Sequence, residues 1–284
     1  MPLSSNEKLV LLMLNNLKKI GLLGCGWLGM ALAKQLILKG YKVKGSTTRL
    51  DKLYDLKKSG IEAYQINLNA DSLSGDFESF LNELEVLVIT IPPQFSKPQT
   101  NLYESLNFVF QNHDLSFLKK LIYISSTGVF VDGPDKTYDE NSKPNNESPR
   151  GKHLIALEAL IKAQNQIQNK SILRYGGLIK HNGRHPVHFL SGKENISNPE
   201  APVNLIEQKD AVDLLIKIIE KPKHFNIYHG VNPSHPSRVN YYTQKAKTLK
   251  LKPPIFDNTE ISVGKIVQSK VTQDILNFEY KSGI

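Results

Sequence analysis

The chain has 284 residues, enough for one large domain or two modest ones with a proper hydrophobic core. Hydrophobic residues make up 40% and charged residues 22%, with 18 glycines and 15 prolines spread along the chain, which excludes collagen, coiled coil and low-complexity disorder. One cysteine, Cys25, excludes an intrachain disulfide and fits a cytoplasmic protein, while 36 basic against 27 acidic residues leave +9, scattered in pairs such as Lys57-Lys58 and Lys119-Lys120, a pattern that disfavours a nucleic-acid partner.

Residues 1–17 read as an extension without chemistry. Their apolar run Leu9–Leu14 is far short of the roughly 18 residues a membrane helix needs, so no membrane partner is expected. Leu22-Leu23-Gly24-Cys25 is not read as a lipoprotein box, because Asn15, Asn16, Lys18 and Lys19 interrupt the apolar stretch such a signal requires. Strand-like runs follow at Ile20–Leu23, Tyr41–Gly45, Ile61–Leu68, Val86–Ile91, Leu121–Ser125 and Ser171–Tyr175. Helix-length stretches separate them, which predicts an α/β fold of the Rossmann type, a doubly wound parallel sheet. Leu28, Leu32 and Leu36, with Ala33 and Ile37, place an apolar stripe on the first helix, and Gly40 reads as its stop. Residues 18–175 are therefore expected to form a dinucleotide-binding domain. Beyond them Gly176–Asn204 is loop-rich, Asp210–Glu220 reads as a helix, Phe225–His229 as a strand and Tyr241–Leu249 as a helix. Residues 176–284 are expected to form a smaller substrate lobe, some of whose elements return to the sheet.

Gly24-Cys25-Gly26-Trp27-Leu28-Gly29 is G-x-G-x-x-G between a predicted strand and a predicted helix. Gly24 permits the tight turn, Gly26 lets the backbone approach a pyrophosphate, and Gly29 allows close helix–strand packing. Cys25 reads as a small buried residue rather than a reactive thiol. The second strand is expected to end near Gly45, with Ser46-Thr47-Thr48-Arg49 beside the adenosine ribose. No acid stands in that tetrapeptide, so Thr48 and Arg49 suit a 2′-phosphate, favouring NADP with NAD as the alternative. The fourth strand runs into Ile91-Pro92-Pro93, where backbone contact with the cofactor is expected. The fifth delivers Ser125-Ser126-Thr127, hydroxyls that either orient a substrate oxygen where it meets the nicotinamide, with Ser125 facing the cofactor, or cap the loop. His181, His185 and His188 lie near one another, but Asn182, Gly183 and Pro186 break any helix that would align them, so no metal site is expected.

The glycine loop, VITIPP, YISSTGVF with Asp139-Glu140 downstream, and the segments ILRYGGLI, NGRHP and VNLIEQKD together resemble the short-chain dehydrogenase/reductase superfamily, in its extended branch of nucleotide-sugar epimerases and dehydratases. The likeness spans residue 18 to about 280. It implies that Ser126 orients substrate, and that Arg174, Arg184, Asn204 and Asp210 are positioned residues of a substrate lobe, with Arg184 facing an anionic group. It also implies a small-molecule substrate and, as in many relatives, a homodimer. Two departures mark the chain as atypical. Where the family carries Tyr-x-x-x-Lys, this chain has Arg150 and Leu154, and its glycines are spaced G-x-G-x-x-G rather than the branch's usual G-x-x-G-x-x-G. Tyr138, Lys152 and His153 are the candidates to supply the proton in place of the phenol. The readings that follow are an NADP(H)-dependent oxidoreductase or epimerase-like enzyme and, alternatively, a non-catalytic NADP(H) sensor.

Overall fold

The computed structural model describes residues 18–69, 72–92, 102–221, 226–259 and 261–284. The extension 1–17 and Pro93 lie outside the described residues. Strands β1 (Lys19–Leu23), β2 (Lys42–Thr47) and β3 (Glu62–Gln65) alternate with helices α1 (Trp27–Leu38) and α2 (Asp51–Lys58). A hairpin of β4 (Asn67–Asn69) and β5 (Ser72–Ser74) leads to α3 (Phe77–Leu81), β6 (Val86–Ile89), α4 (Leu102–Asn112) and β7 (Lys120–Ser126). After β8 (Lys136–Tyr138) come α5 (Pro149–Lys162), β9 (Asn169–Tyr175), β10 (Gly177–Ile179), α6 (Pro186–Leu190), β11 (Leu205–Glu207) and α7 (Gln208–Glu220). β12 (Asn226–Gly230), α8 (Arg238–Thr248), β13 (Lys265–Val267) and α9 (Lys270–Leu276) complete the order.

Seven strands form one parallel sheet in the order β12-β9-β7-β6-β1-β2-β3, the Rossmann-type arrangement predicted. Ile20 lies opposite Val43 on one side and Val86 on the other, so β1 is buried on both edges and both faces. That is why its sequence is a short continuous apolar run. Strand order reverses between β1 and β6, which opens a crevice beyond their carboxyl ends, the place where open α/β sheets bind ligands.

Leu28, Leu32, Ala33 and Leu36 are the buried stripe of α1. Each large side chain withdrawn from water contributes about 1.5–3 kcal/mol. The helix stops at Gly40, whose φ of +86° suits glycine alone, with Tyr41 N–H donating back to the Leu36 carbonyl at 3.0 Å.

The single strand expected over Ile61–Leu68 is divided in two. Ile66 N–H still donates to the Thr47 carbonyl at 3.0 Å, but the chain then leaves the sheet as the β4–β5 hairpin. Gly75 brings it back over Gln65 with φ +114°, where a Cβ would stand 2.1 Å from the Gln65 carbonyl oxygen. The strand expected over Tyr41–Gly45 runs on to Thr47, so Ser46 and Thr47 belong to the sheet.

The described residues group into two compact units: those up to Tyr123 with Leu160–Lys170, and those of Ile124–Ala159 with Ser171–Ile284. Residues 124–159, expected with the dinucleotide domain, thus cluster with the C-terminal chain. The first unit holds β1, β6 and the glycine loop. The second is built on two apolar clusters, one of Ile179, Val187, Leu205, Tyr241, Tyr242 and Phe256, the other of Val129, Phe130, Tyr138, Leu154, Val231 and Val267.

Candidate functional site

In the first unit the three glycines serve three different ends. Gly24 has φ +107°, and a Cβ there would meet the Ile91 side chain at 2.8 Å. A Cβ on Gly29 would lie 2.4 Å from the Gly24 carbonyl oxygen, so helix and loop touch only because that atom is missing. Gly26 is the contrast. A Cβ there meets nothing within 4 Å, so the protein's own packing does not need the glycine. What a Cβ would occupy is the open space above the start of α1. No side chain caps that helix and its first turn carries no acid, which leaves its positive end directed at the same space.

The loop is pinned from both sides. Gly24 N–H donates to Ser46 Oγ at 2.9 Å and Cys25 N–H to the Ser46 carbonyl at 2.6 Å. Just past β6, Thr90 donates its hydroxyl to the Gly24 carbonyl and its N–H to that of Leu23 at 3.0 Å. Cys25 packs on Gly45, where a Cβ would come within 2.5 Å of its sulfur. Burial pushes the thiol up to about 12, consistent with an inert packing residue. Past β6, Ile91 is half-buried and Pro92 exposed.

At the end of β2, Thr48 and Arg49 are exposed, and Arg49 N–H donates to Thr47 Oγ1 at 3.2 Å. An acid does reach this corner. The Arg49 guanidinium donates through Nε to Asp51 Oδ1 at 3.0 Å and through Nη2 to Oδ2. The tetrapeptide itself carries no acid; the carboxylate comes from the first residue of α2, which stands beside residue 49.

In the second unit, β7 ends in a buried charge network. Ser125, expected to face the cofactor, donates its hydroxyl to Glu158 Oε1 at 2.7 Å. Arg174 grips the same carboxylate with both arms, Nε to Oε1 at 2.9 Å and Nη2 to Oε2 at 2.7 Å. Arg174 is fully buried and its guanidinium lies 5.1 Å from the Phe130 ring centre. It is therefore a core residue of β9, not a residue that meets substrate. His229 closes the network. Its Nδ1 lies 2.8 Å from the Gln268 carbonyl, which requires a proton there, so Nε2 is the lone-pair nitrogen facing Arg174 Nη1 at 3.5 Å. Burial, with the Arg174 cation beside it, lowers His229 to about 4.

Ser126 lies one residue further and is half-buried, its Oγ accepting from Gly128 N–H at 3.1 Å as the cap of a short 3-10 turn. Thr127 is buried inside that turn. Tyr138 is a core residue: its ring stacks on Phe130 at 4.4 Å, and its hydroxyl donates to the Val131 carbonyl and accepts from Asn145 Nδ2, both at 3.1 Å. That corrects its candidacy as proton donor. On α5, Arg150 and Lys152 are exposed, His153 is half-buried with its pKa lowered by burial, and Leu154 is buried against Gly128.

Two further expectations on the C-terminal segment change. Asn204 spends its amide on β13, donating to the Lys265 carbonyl at 2.7 Å and accepting from Val267 N–H at 2.8 Å. Asp210 is buried and accepts from the Lys281 and Ser282 N–H groups at 3.2 and 2.9 Å, tethering the end of the chain. Arg184 is exposed. His185 caps α6 by accepting from Val187 N–H at 3.1 Å and meets Tyr241 Oη at 2.9 Å, while His181 pairs with Lys245. Among the described residues no group of three or more His, Cys, Asp or Glu is placed to hold a metal ion.

Residues 19–106 match the family model described as NADP oxidoreductase, coenzyme F420-dependent. Over 271 residues the chain is 32% identical to protein YeeZ of Escherichia coli (strain K12), across 93% of this chain and 96% of that one. The chain belongs to the YeeZ family. Among solved structures similar to it, UDP-N-acetylglucosamine 4-epimerase from Bacillus cereus superimposes with a TM-score of 0.75 at 14% identity, over 94% of this chain and 92% of that one. MoeE5 in complex with UDP-glucose and NAD gives 0.74 at 17%, over 94% of each chain. A functionally unknown conserved protein from Silicibacter pomeroyi DSS gives 0.74 at 18%, over 93% and 94%. At such identities the likeness shows the fold alone, a Rossmann-type parallel sheet.

In this YeeZ-family chain the side chains missed from sequence are Thr90, Glu158 and His229, together with the true place of Ser46. Glu158 did carry a signal. It interrupts the apolar face Leu154, Leu157, Ile161 of one helix, while Arg174 interrupts the buried run Ile172, Leu173, Tyr175 of β9, and two opposite charges in buried patterns call for each other.

Proposed function

We propose that the protein binds NADP(H) at the β1–α1 loop and acts as an oxidoreductase or epimerase-like enzyme of the atypical short-chain type on a small molecule. The observation that carries this is Gly26, the one glycine of the loop that packing does not require and whose missing side chain leaves open space over an uncapped helix start. Trp27, Leu28 and Gly29 offer first-turn N–H groups to a pyrophosphate, Thr48 and Arg49 take the 2′-phosphate, and Ile91 and Pro92 flank the nicotinamide half. When bound, the dinucleotide supplies hydride transfer. Ser126 orients the reacting oxygen, and Arg184 meets an anionic part of the substrate. Lys152 and His153, on the first turns of α5, are the groups left to move a proton once Tyr138 is assigned to the core.

A second reading, a non-catalytic NADP(H) sensor, is favoured by Leu154, which occupies the family's lysine position and is sealed in an apolar cluster. Titration with NADP, NADPH, NAD and NADH, followed by deuteride exchange into the bound nicotinamide in the presence of cell-extract metabolites, decides between them. Binding with exchange supports the enzyme, and binding without exchange supports the sensor. No binding removes both.

A further inference from the structure

Resting on the dinucleotide reading above, the corner at the end of β2 holds a cation and an anion together. Arg49 and Asp51 form a two-pronged ion pair at the mouth of β2, with side chains 61% and 63% exposed. The corner is tied to the glycine loop, because Ser46, three residues before Arg49, accepts from Gly24 N–H and Cys25 N–H. The Thr48 carbonyl is in turn held by Gln65 Nε2 at 3.4 Å. A cation and an anion therefore share one spot, each suited to a different ribose. A 2′-phosphate wants the guanidinium and is repelled by the carboxylate, whereas a free 2′-hydroxyl wants the carboxylate as acceptor. An exposed pair is weakened by water and salt, so either partner is released at little cost when a better one arrives.

We propose that Asp51 is a specificity-determining residue of the dinucleotide site: it competes for Arg49 and repels the 2′-phosphate, so that the corner accepts both NADP and NAD instead of NADP alone. With NADP, Arg49 leaves Asp51 for the phosphate. With NAD, the pair persists and Asp51 accepts from the 2′-hydroxyl.

The test is titration of the full chain with NADP and NAD in parallel, read by the emission of Trp27, the chain's single tryptophan and the first residue of α1. Asp51→Asn is expected to raise the ratio Kd(NAD)/Kd(NADP) about 3- to 10-fold, mainly by tightening NADP, and the change should shrink at high salt, as exposed electrostatics do. Asp51→Ser should move the ratio the same way. A wild-type protein that binds both nucleotides, with variants whose ratio stays within about 2-fold of it, would overturn this inference and leave the dinucleotide reading standing. A wild-type protein that binds neither overturns both.

Discussion

Glu158 and Arg174 place opposite charges almost wholly out of water, and the geometry that makes this tolerable is complete. Both carboxylate oxygens meet the guanidinium, Ser125 adds a third donor, and the lone pair of His229 faces the remaining nitrogen. Removing one partner leaves the other charge buried and unanswered, which costs about 3–5 kcal/mol. Glu158→Gln should therefore lower the unfolding free energy by about that amount, measured by urea denaturation. The double change Glu158→Leu with Arg174→Met should recover most of the loss, because well-packed apolar residues replace a buried ion pair at little cost. A double variant as unstable as the single one would show that the network does more than satisfy itself. At this scale Gly24, Cys25 and Gly29 were legible from sequence because the G-x-G-x-x-G spacing marks them, although only Gly29 meets a neighbour a few residues away while Gly24 and Cys25 pack on Ile91 and Gly45. Tyr138 and Asn204 were not, because nothing local says that their polar atoms are spent on Val131, Lys265 and Val267.

The β1–α1 joint separates a glycine kept for packing from one kept open. Gly29→Ala forces a Cβ against the Gly24 carbonyl, and overpacking of that kind costs about 1–3 kcal/mol. Gly26→Ala adds a methyl where nothing lies within 4 Å, on a residue with φ −76° that any side chain tolerates. Its thermal midpoint should stay close to wild type while NADP affinity falls at least about 10-fold, since the added Cβ stands where a phosphate must approach. If Gly26→Ala instead binds NADP as tightly as wild type, the open space is not the phosphate site. Element boundaries followed the same logic of local against distant cause. The apolar run of β1 and the stripe of α1 announce themselves, whereas the break at Ile66 depends on a hairpin that turns back over Gln65.

Across the molecule burial lowers His153 and His235, and it lowers His185 and His229 to about 4. In the unfolded chain they titrate near the usual 6.5, so between 6.5 and 4 the unfolded state binds more protons and stability is lost as pH falls through that window. His185 and His229 each contribute on the order of 3 kcal/mol when the full span is crossed. Buried Glu140 works in the opposite sense. Its pKa is raised by burial, so it favours the fold at low pH and weakens it as pH rises above the ordinary carboxylate range. The lowered histidines outnumber the one raised carboxyl, which predicts a net loss of stability from pH 7 to pH 5, measured as a falling urea midpoint, with a shallower fall in His229→Gln. An identical pH slope in that variant would remove His229 from the account.

The sequence by itself determined the parallel Rossmann sheet, the glycine loop and the burial of Cys25, because strand runs, helix stripes and turn glycines are written in spacings of two to four residues. Only the tertiary structure decided which hydroxyls and charges remain available for chemistry. Ser125 is drawn inward by Glu158, and Arg174 is sealed in β9 by the same carboxylate. Composition and spacing do not encode those partnerships, since each joins side chains whose meeting depends on how the chain folds back, and a polar group's availability is set by whichever partner reaches it first.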